Sequence, residues 1–455
     1  MRYSIKAICM FLLITGMVSA TDYHVPGWYD TIQAAVNDCS DGDTVVVAEG
    51  TYTGSGNYNI NMLGKAITIR GGDPDDPAVV AATVINCSNR QGFVFRSGES
   101  SDSQISGLTI TGGNNFSGGA IRCMINSSPV ISKCVIANNT AIFGGAIASE
   151  SGANPVITNC TITNNFGIVS GGGIYCLGGN VTINNCVIAS NTSPRGGAIA
   201  CSSQNNITVK GTTIRANAAS NSAGGIYCTN AAELSVKNSI LWENTAGSGD
   251  QIYAGTDCKV DISYCNVEGD WGSGNIDVNP MFVGDNDCHL ADNSECIDAG
   301  DAGYTATDGE TDIDGQKRIS GQMIDMGADE AKAAVRARIR ITPRAITLKG
   351  RTTQINCRIT LEEGYNASDI DIDSIVLNVT TETLASHLCQ EGDTLIVRLF
   401  LTTDDIIGDI SAADNTIELT VTGSFSDDEE TTFMGRDTVN VLPYSRNQMT
   451  KSKGK

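Results

Sequence analysis

Apolar positions recur through the middle of this chain about every 26 residues. One column reads Ile110, Ile136, Ile162, Ile188, Ile214, Leu241 and Val267. A second reads Ile121, Ile147, Ile174, Ile199, Ile226 and Ile252. Around the first column the residues alternate. Cys160 and Ile162 share one face and Thr161 and Thr163 the other, and Leu108/Ile110, Cys134/Ile136 and Cys186/Ile188 repeat the inward pair. Alternation in short β-branched runs, broken by Asn, Gly and Ser, predicts strands and turns rather than helix. A fixed long period predicts stacked coils, each burying its apolar face against its neighbours.

Stacked parallel strands lie about 4.8 Å apart, so about seven or eight coils predict a rod roughly 35–40 Å long. The expected architecture is an all-β right-handed parallel β-helix. The L-x-x-L-x-L pattern of a leucine-rich horseshoe is absent from the sequence. Two polar columns agree. Asn139, Asn165, Asn191, Asn217 and Asn244 recur in register. Their amides can bond from coil to coil, and Asn tolerates the left-handed geometry of a sharp bend. The pairs Gly118/Gly119, Gly144/Gly145, Gly196/Gly197 and Gly224/Gly225 precede the second column and read as corners. No helix pattern follows them, which argues against a phosphate loop.

The flanks differ. Residues 1–20 read as a secretory signal: basic Arg2 and Lys6, apolar Ile8–Val18, and Val18-Ser19-Ala20 for cleavage. The mature chain is then expected to be exported and to begin near Thr21. Residues 21–64 read as a capping helix and first coil. Asp30 is the expected cap and Gln33 its capping-box partner, with Ile32, Ala35, Val36 and Cys39 on one apolar face. Such a helix would cover the exposed strand edge at the end of the solenoid. Residues 65–330 read as the β-helix with its closing segment, and 331–337 as a linker. Alternating strands over 338–444 predict an immunoglobulin-like β-sandwich. Residues 445–455 read as a disordered basic tail.

The formal net charge is −22, and removal of Arg2 and Lys6 takes it to −24. That argues against nucleic acid and anionic membrane as partners. No apolar run in the mature chain is long enough to span a bilayer. Sixteen cysteines include Cys9. Cys134, Cys160, Cys186 and Cys265 share one column, and Cys123, Cys176, Cys201 and Cys228 the other, where they read as small apolar core residues. Cys288/Cys296 and Cys357/Cys389 are the disulfide candidates. No C-x-x-C occurs, and the three histidines (His24, His289, His387) are far apart in sequence, so thiol or imidazole metal chemistry finds little support. Asp308, Asp312 and Asp314 lie in a turn-rich stretch and read either as oxygen ligands for calcium or as an unliganded acidic turn.

Several motifs carry a resemblance. TIQAAVNDCSDGDTVVVAEGTYTG, from Thr31, resembles the cap and first strand of pectin-lyase-like right-handed β-helix proteins. GGAI at Gly118, Gly144 and Gly196, with IANN, ITNN and IASN downstream, resembles the repeats of polymorphic outer-membrane proteins, with Ile in place of the Phe of their FxxN. CHLADNSECIDAGD and TDIDGQKRISGQMIDMGADE (Thr311–Glu330) are similar to the closing segment of a group of secreted bacterial β-helix proteins. The stretch beginning ITPRAITLKG at Ile341 is similar to modules that follow such helices.

The resemblance implies what an enzyme would need. Lyases of that fold hold calcium on a uronate with clustered carboxylates and use Arg or Lys as base. Hydrolases use two or three close Asp residues. The carboxylates between Ile105 and Val267 are Glu150, Glu233, Glu243, Asp250, Asp257 and Asp261, and these fall in no single outward column. The outward positions instead offer a binding face: Arg122, Tyr175, Tyr227 and Tyr253 one position after the second column, and Arg215 and Trp242 one position after the first. Aromatic rings beside Arg can grip sugar rings, and they can also simply stabilise strand stacking. The expected function is non-catalytic binding of carbohydrate or an envelope component, at the cell surface or outside the cell, with the periplasm the other compartment. The alternatives are a polysaccharide lyase or glycoside hydrolase, and a pure structural spacer.

Overall fold

The computed structural model describes residues 20–203, 205–269, 271–284, 287–331, 335–347, 352–361, 365–377, 386–391, 394–402, 416–426 and 428–442. The expected signal segment, apart from Ala20, and the expected basic tail lie outside the described residues. The chain divides into two compact units, Met1–Asp277 with Thr311–Gly315, and Val278–Glu310 with Gln316–Lys455. The division therefore falls at Asp277, earlier than the expected boundary after Glu330. The expected linker is already strand from Val335.

In the first unit each turn from Gln104 to Ala254 contributes four short strands, and the strands stack into four parallel sheets. The first sheet runs through ten strands from Asp22–Val25 to Lys259–Ser263, and the second through nine from Gly50–Tyr52 to Asn266–Val267. The third has six, from Asn114–Ser117 to Thr245–Ala246, and the fourth eight, from Ile60–Asn61 to Ile252–Ala254. This exceeds the seven or eight coils expected. The early turns, at Thr44–Val47 and Thr68–Gly71, precede the first residue of either isoleucine column.

Both isoleucine columns are in register. Ile136 lies between Ile110 and Ile162, and Ile147 between Ile121 and Ile174. All are buried in one continuous core. A third inward column, Ile131, Ile157, Ile183, Val209 and Val236, belongs to the first sheet. Cys176, Cys201 and Cys228 are register partners and are buried, as are Cys134, Cys160 and Cys186. They pack as the small core residues expected. Burial pushes the Cys160 thiol well above its ordinary pKa.

The asparagine column forms a continuous ladder. Asn139, Asn165, Asn191 and Asn217 each donate from Nδ2 to the Oδ1 of the next, at 3.1, 3.0, 3.0 and 2.9 Å, ending on Asn244. The left-handed bend, however, falls one residue earlier. Asn138, Asn164, Ser190, Ala216 and Glu243 have φ between 51° and 58°. The ladder residues therefore supply the bonds and their predecessors the bend. The glycine corners are steric. A Cβ on Gly144 (φ +64°) would meet Ile147 O at 2.2 Å.

Helix α1 (Ile32–Asp38) buries Ile32, Ala35 and Val36, as its apolar face predicts. Its cap is Thr31, not Asp30: Thr31 Oγ1 accepts from Ala34 N–H at 3.3 Å. Gln33 does not close a capping box. Its Oε1 accepts from Asn61 N–H at 2.8 Å and fastens the helix to the coil below. A second helix, α2 (Pro77–Ala82), has Asp76 as cap and Pro at its start, a favourable opening because that position needs no N–H.

In the second unit, Phe282–Gly284 pairs antiparallel with Asp287–Leu290. Further on, the wholly buried Arg318 and Glu330 are joined at 2.7 Å. Glu330 also accepts from Ser320 N–H and Asp325 N–H, both at 3.1 Å. The C-terminal strands run in the order Val376–Leu377, Thr416–Phe425, Asp428–Leu442, Val335–Thr342, Thr352–Leu361, Thr394–Thr402, Ser386–Glu391. Their pairings are antiparallel except where Val335–Thr342 meets Asp428–Leu442. Ile341, Ile355, Ile359, Leu419, Val421 and Phe433 share one buried core, and the antiparallel strands around it are consistent with the expected sandwich. Ile372–Ser374 forms a 3-10 turn just before the short strand Val376–Leu377.

Candidate functional site

The outward column of the fourth sheet reads Arg122, Ala148, Tyr175, Ala200, Tyr227, Tyr253, in register throughout. Its aromatics form two groups. Tyr227 and Tyr253 stack with centroids 5.3 Å apart and planes 13° apart. Tyr175 packs on Phe143 at 4.9 Å, and Phe143 on Phe116 at 5.6 Å. Phe143 comes from the third sheet, one position before a corner glycine, and the corner folds its ring back against the tyrosine column.

Between the two groups the column carries the buried Ala200. Two strand spacings, about 9.6 Å, separate the backbones of Tyr175 and Tyr227. A groove of about 330 Å³ opens here. Phe143, Val169 and Tyr175 form the wall on the N-terminal side, and Tyr227, Thr229 and Asn230 the other. The coil between them supplies Arg195 and Ser202. Asn230 Nδ2 donates to Ser202 Oγ at 3.1 Å. Arg195 is exposed and makes no ion pair among the described residues.

The other residues singled out in the sequence are placed differently. Arg122 is held by Glu150 at 2.8 Å, and Ser117 Oγ donates to the same carboxylate at 2.7 Å. Burial, with a smaller push from that carboxylate, raises the Tyr175 hydroxyl above its ordinary pKa. Arg215 and Trp242 lie on the second sheet, so the structure does not bring them to the tyrosine column. Arg215 is bound to Glu243 at 2.8 Å.

Coil carboxylates are largely engaged in the fold. Besides Glu150 and Glu243, Glu233 bonds Lys259, Asp250 accepts from Ala246 N–H at 2.6 Å, and Glu268 accepts from Glu243 N–H at 2.9 Å. Asp308 falls in the second unit, and Asp312 and Asp314 in the first. Asp312 is wholly buried and its Oδ1 accepts from Asp314 N–H at 3.0 Å, which closes the turn. Cys288 is half-buried on a strand and Cys296 is buried. Cys357 and Cys389 sit on strands separated by Thr394–Thr402. Their backbones are therefore about 9.6 Å apart, and a disulfide rarely spans more than about 7 Å between Cα atoms. The Cys389 side chain lies outside the described residues.

The solenoid of stacked parallel strands defines the class. Residues 40–223 match the family model for the right handed beta helix region, and this part of the chain is a right-handed parallel β-helix. No curated protein and no solved structure matches the chain. Among the described residues no helix is long and apolar enough to cross a membrane.

Proposed function

We propose that this is an exported, non-catalytic β-helix protein that binds carbohydrate at the cell surface or outside the cell. The observation that carries the reading is the Tyr227–Tyr253 stack at the edge of a groove whose far wall is Tyr175. Sugar rings have apolar faces and polar rims. Tyrosine supplies a flat apolar surface, and Ser202, Thr229 and Asn230 supply donors and acceptors beside it. The engagement of Glu150, Glu233, Glu243, Asp250 and Glu268 in bonds that hold the coils supports binding over turnover. The amino-terminal segment, with its basic start and apolar stretch, supports export.

Affinity electrophoresis through gels containing single polysaccharides tests the reading. The wild-type protein is expected to be retarded by at least one of them. Tyr227→Ala combined with Tyr253→Ala is expected to restore free mobility with the fold intact by circular dichroism. Equal retardation of wild type and the double variant would overturn it.

A further inference from the structure

The third sheet turns one face to solvent across six successive coils. Its strands read NNFS, TAIF, FGIVS, TSPR, AASNS and TA, and they hold no carboxylate and a single charge, Arg195 at one edge. The first sheet is the opposite, with Lys210, Glu233, Lys237, Lys259 and Asp261 on its last three strands. In a chain of formal charge −22, a face without an acid is where two copies repel each other least. The face has two halves. Over the strands from Asn114 to Ser170 it is bulky: Phe116, Phe166, Ile168 and Val169 are 58%, 44%, 48% and 36% exposed. Phe143 braces Phe116 edge-on, with centroids 5.6 Å apart. Over the strands from Thr192 to Ala246 the outward residues are small, among them Thr192, Ala218, Ser220 and Thr245. The outward column Asn114, Thr140, Phe166, Thr192, Ala218, Thr245 is in register through both halves. Large apolar side chains gathered on one exposed face mark an interaction surface.

We infer that this face pairs with the same face of a second copy of the chain, about a two-fold axis parallel to the strands. That axis reverses the order of the coils, so the bulky half of each copy lies on the small half of the other. The same patch serves both partners, as a two-fold contact requires. The shapes fit. Side-chain rows on both faces repeat about every 4.8 Å, so the rows of one copy seat between those of the other, and sheets packed face to face stand about 10 Å apart. Phe and Ile fill that distance against Ala, Ser and Thr, whereas two bulky halves set opposite each other would hold the sheets apart. The size sets the strength. Six strands of four or five residues make a face of about 24 by 15 Å. Two such faces with their protruding side chains bury on the order of 1,000 Å², the range of weak, reversible interfaces and below that of permanent dimers. The pairing is independent of the carbohydrate reading.

Sedimentation velocity of the full chain, from about 2 to about 200 µM at about 150 mM salt, tests this. Wild type is expected to pass from monomer to dimer across that range. Ile168→Glu places a carboxylate in the bulky half, and Ser220→Trp fills the space that the partner's bulky half would occupy. Each is expected to leave the chain monomeric throughout. Both positions are exposed, and circular dichroism with an unchanged melting temperature verifies that each variant folds. Salt carries a sign as well. At about 10 mM salt the repulsion between two acidic chains is unscreened, so the wild-type dimer is expected to weaken severalfold. A wild-type monomer at every concentration would overturn the inference. So would a dimer that survives Ile168→Glu, which would place the contact on another face, or one that tightens at low salt, which would mean that ion pairs hold it. Loss of the dimer in Ile168→Glu but not in Ser220→Trp would overturn the reversed packing of bulky on small.

Discussion

Asn165 and Asn191 are joined across adjacent coils by two hydrogen bonds, because Asn191 Oδ1 accepts both the Asn165 backbone N–H and its Nδ2, each at 3.0 Å. The Asn165 amide also donates to Ile136 O and Thr163 O, at 2.8 and 3.0 Å, and its own Oδ1 serves Asn139 in the same way. One side chain therefore satisfies backbone groups of two successive coils and joins the side chain of a third, in a place water does not reach.

Asn165→Ala removes these bonds at once and leaves buried carbonyls and N–H groups without partners. Each orphaned buried group costs about 1–3 kcal/mol, so a loss of at least about 3 kcal/mol is expected. Denaturant unfolding of wild type and variant measures it. Asn165→Asp keeps the acceptor and loses the donor, and it should be no better because it also buries a charge.

The corners are equally demanding. A Cβ on Gly172 would meet Gly197 O at 2.2 Å and Thr192 N at 2.7 Å, both backbone atoms of the next coil. Gly172→Ala is expected to prevent accumulation of folded protein. Gly98 also has a left-handed φ, +74°, but nothing lies within 4 Å of its Cβ position. Gly98→Ala should therefore cost only backbone strain, about 1 kcal/mol. Soluble expression and melting of the two variants separate close approach from conformation alone.

The Arg318–Glu330 pair is wholly buried at 2.7 Å. Glu330→Ala leaves a buried guanidinium without its carboxylate, and such single removals cost about 3–5 kcal/mol. Replacing both together, Arg318→Met with Glu330→Leu, should recover much of that loss, because the desolvation of both charges disappears. A double-mutant cycle on the unfolding transition of the second unit reads both numbers.

Asp325 sits beside that pair. Burial, and then the charge of Glu330, push its carboxyl up to about 8. The folded state thus holds a proton that the unfolded chain releases near pH 3.8. Its contribution to stability is present below about pH 4 and is lost as pH rises toward 8. Asp437 acts lower on the scale. Burial raises it, but bonds from Arg344 and Ile341 N–H outweigh that and bring it below its ordinary value. Stability of the second unit is therefore expected to fall between pH 5 and pH 8, and Asp325→Asn should flatten that slope. A wild-type profile flat over this range would refute the assignment.

Much of this was legible in the sequence for a physical reason. Ile136 and Ile162 are buried and identical in role, so the period writes their packing directly. The third inward column is harder to read because the corner two residues after it, at Lys133, Asn159, Asn185, Gly211 and Asn238, keeps its left-handed φ but not its residue type. The bend residues form no readable column because the left-handed position is filled by two asparagines, Asn138 and Asn164, and then by Ser190, Ala216 and Glu243, with no chemistry common to all five. The tyrosine column could be read by counting from the isoleucines. Arg195 could not, because it reaches the groove from another sheet. Its only signal is its place before Gly196, matching Phe143 before Gly144. The pairing of Arg215 with Glu243 depended on which sheet each coil position joins, and the period alone does not fix that.

The most direct test of the central claim is incubation of the protein with a panel of acidic and neutral polysaccharides, with calcium or with chelator, following retention and the appearance of unsaturated or reducing ends in the same samples. Retention of at least one polysaccharide with no new ends in either condition is the result expected of a binding protein. Calcium-dependent cleavage of any of them would contradict it.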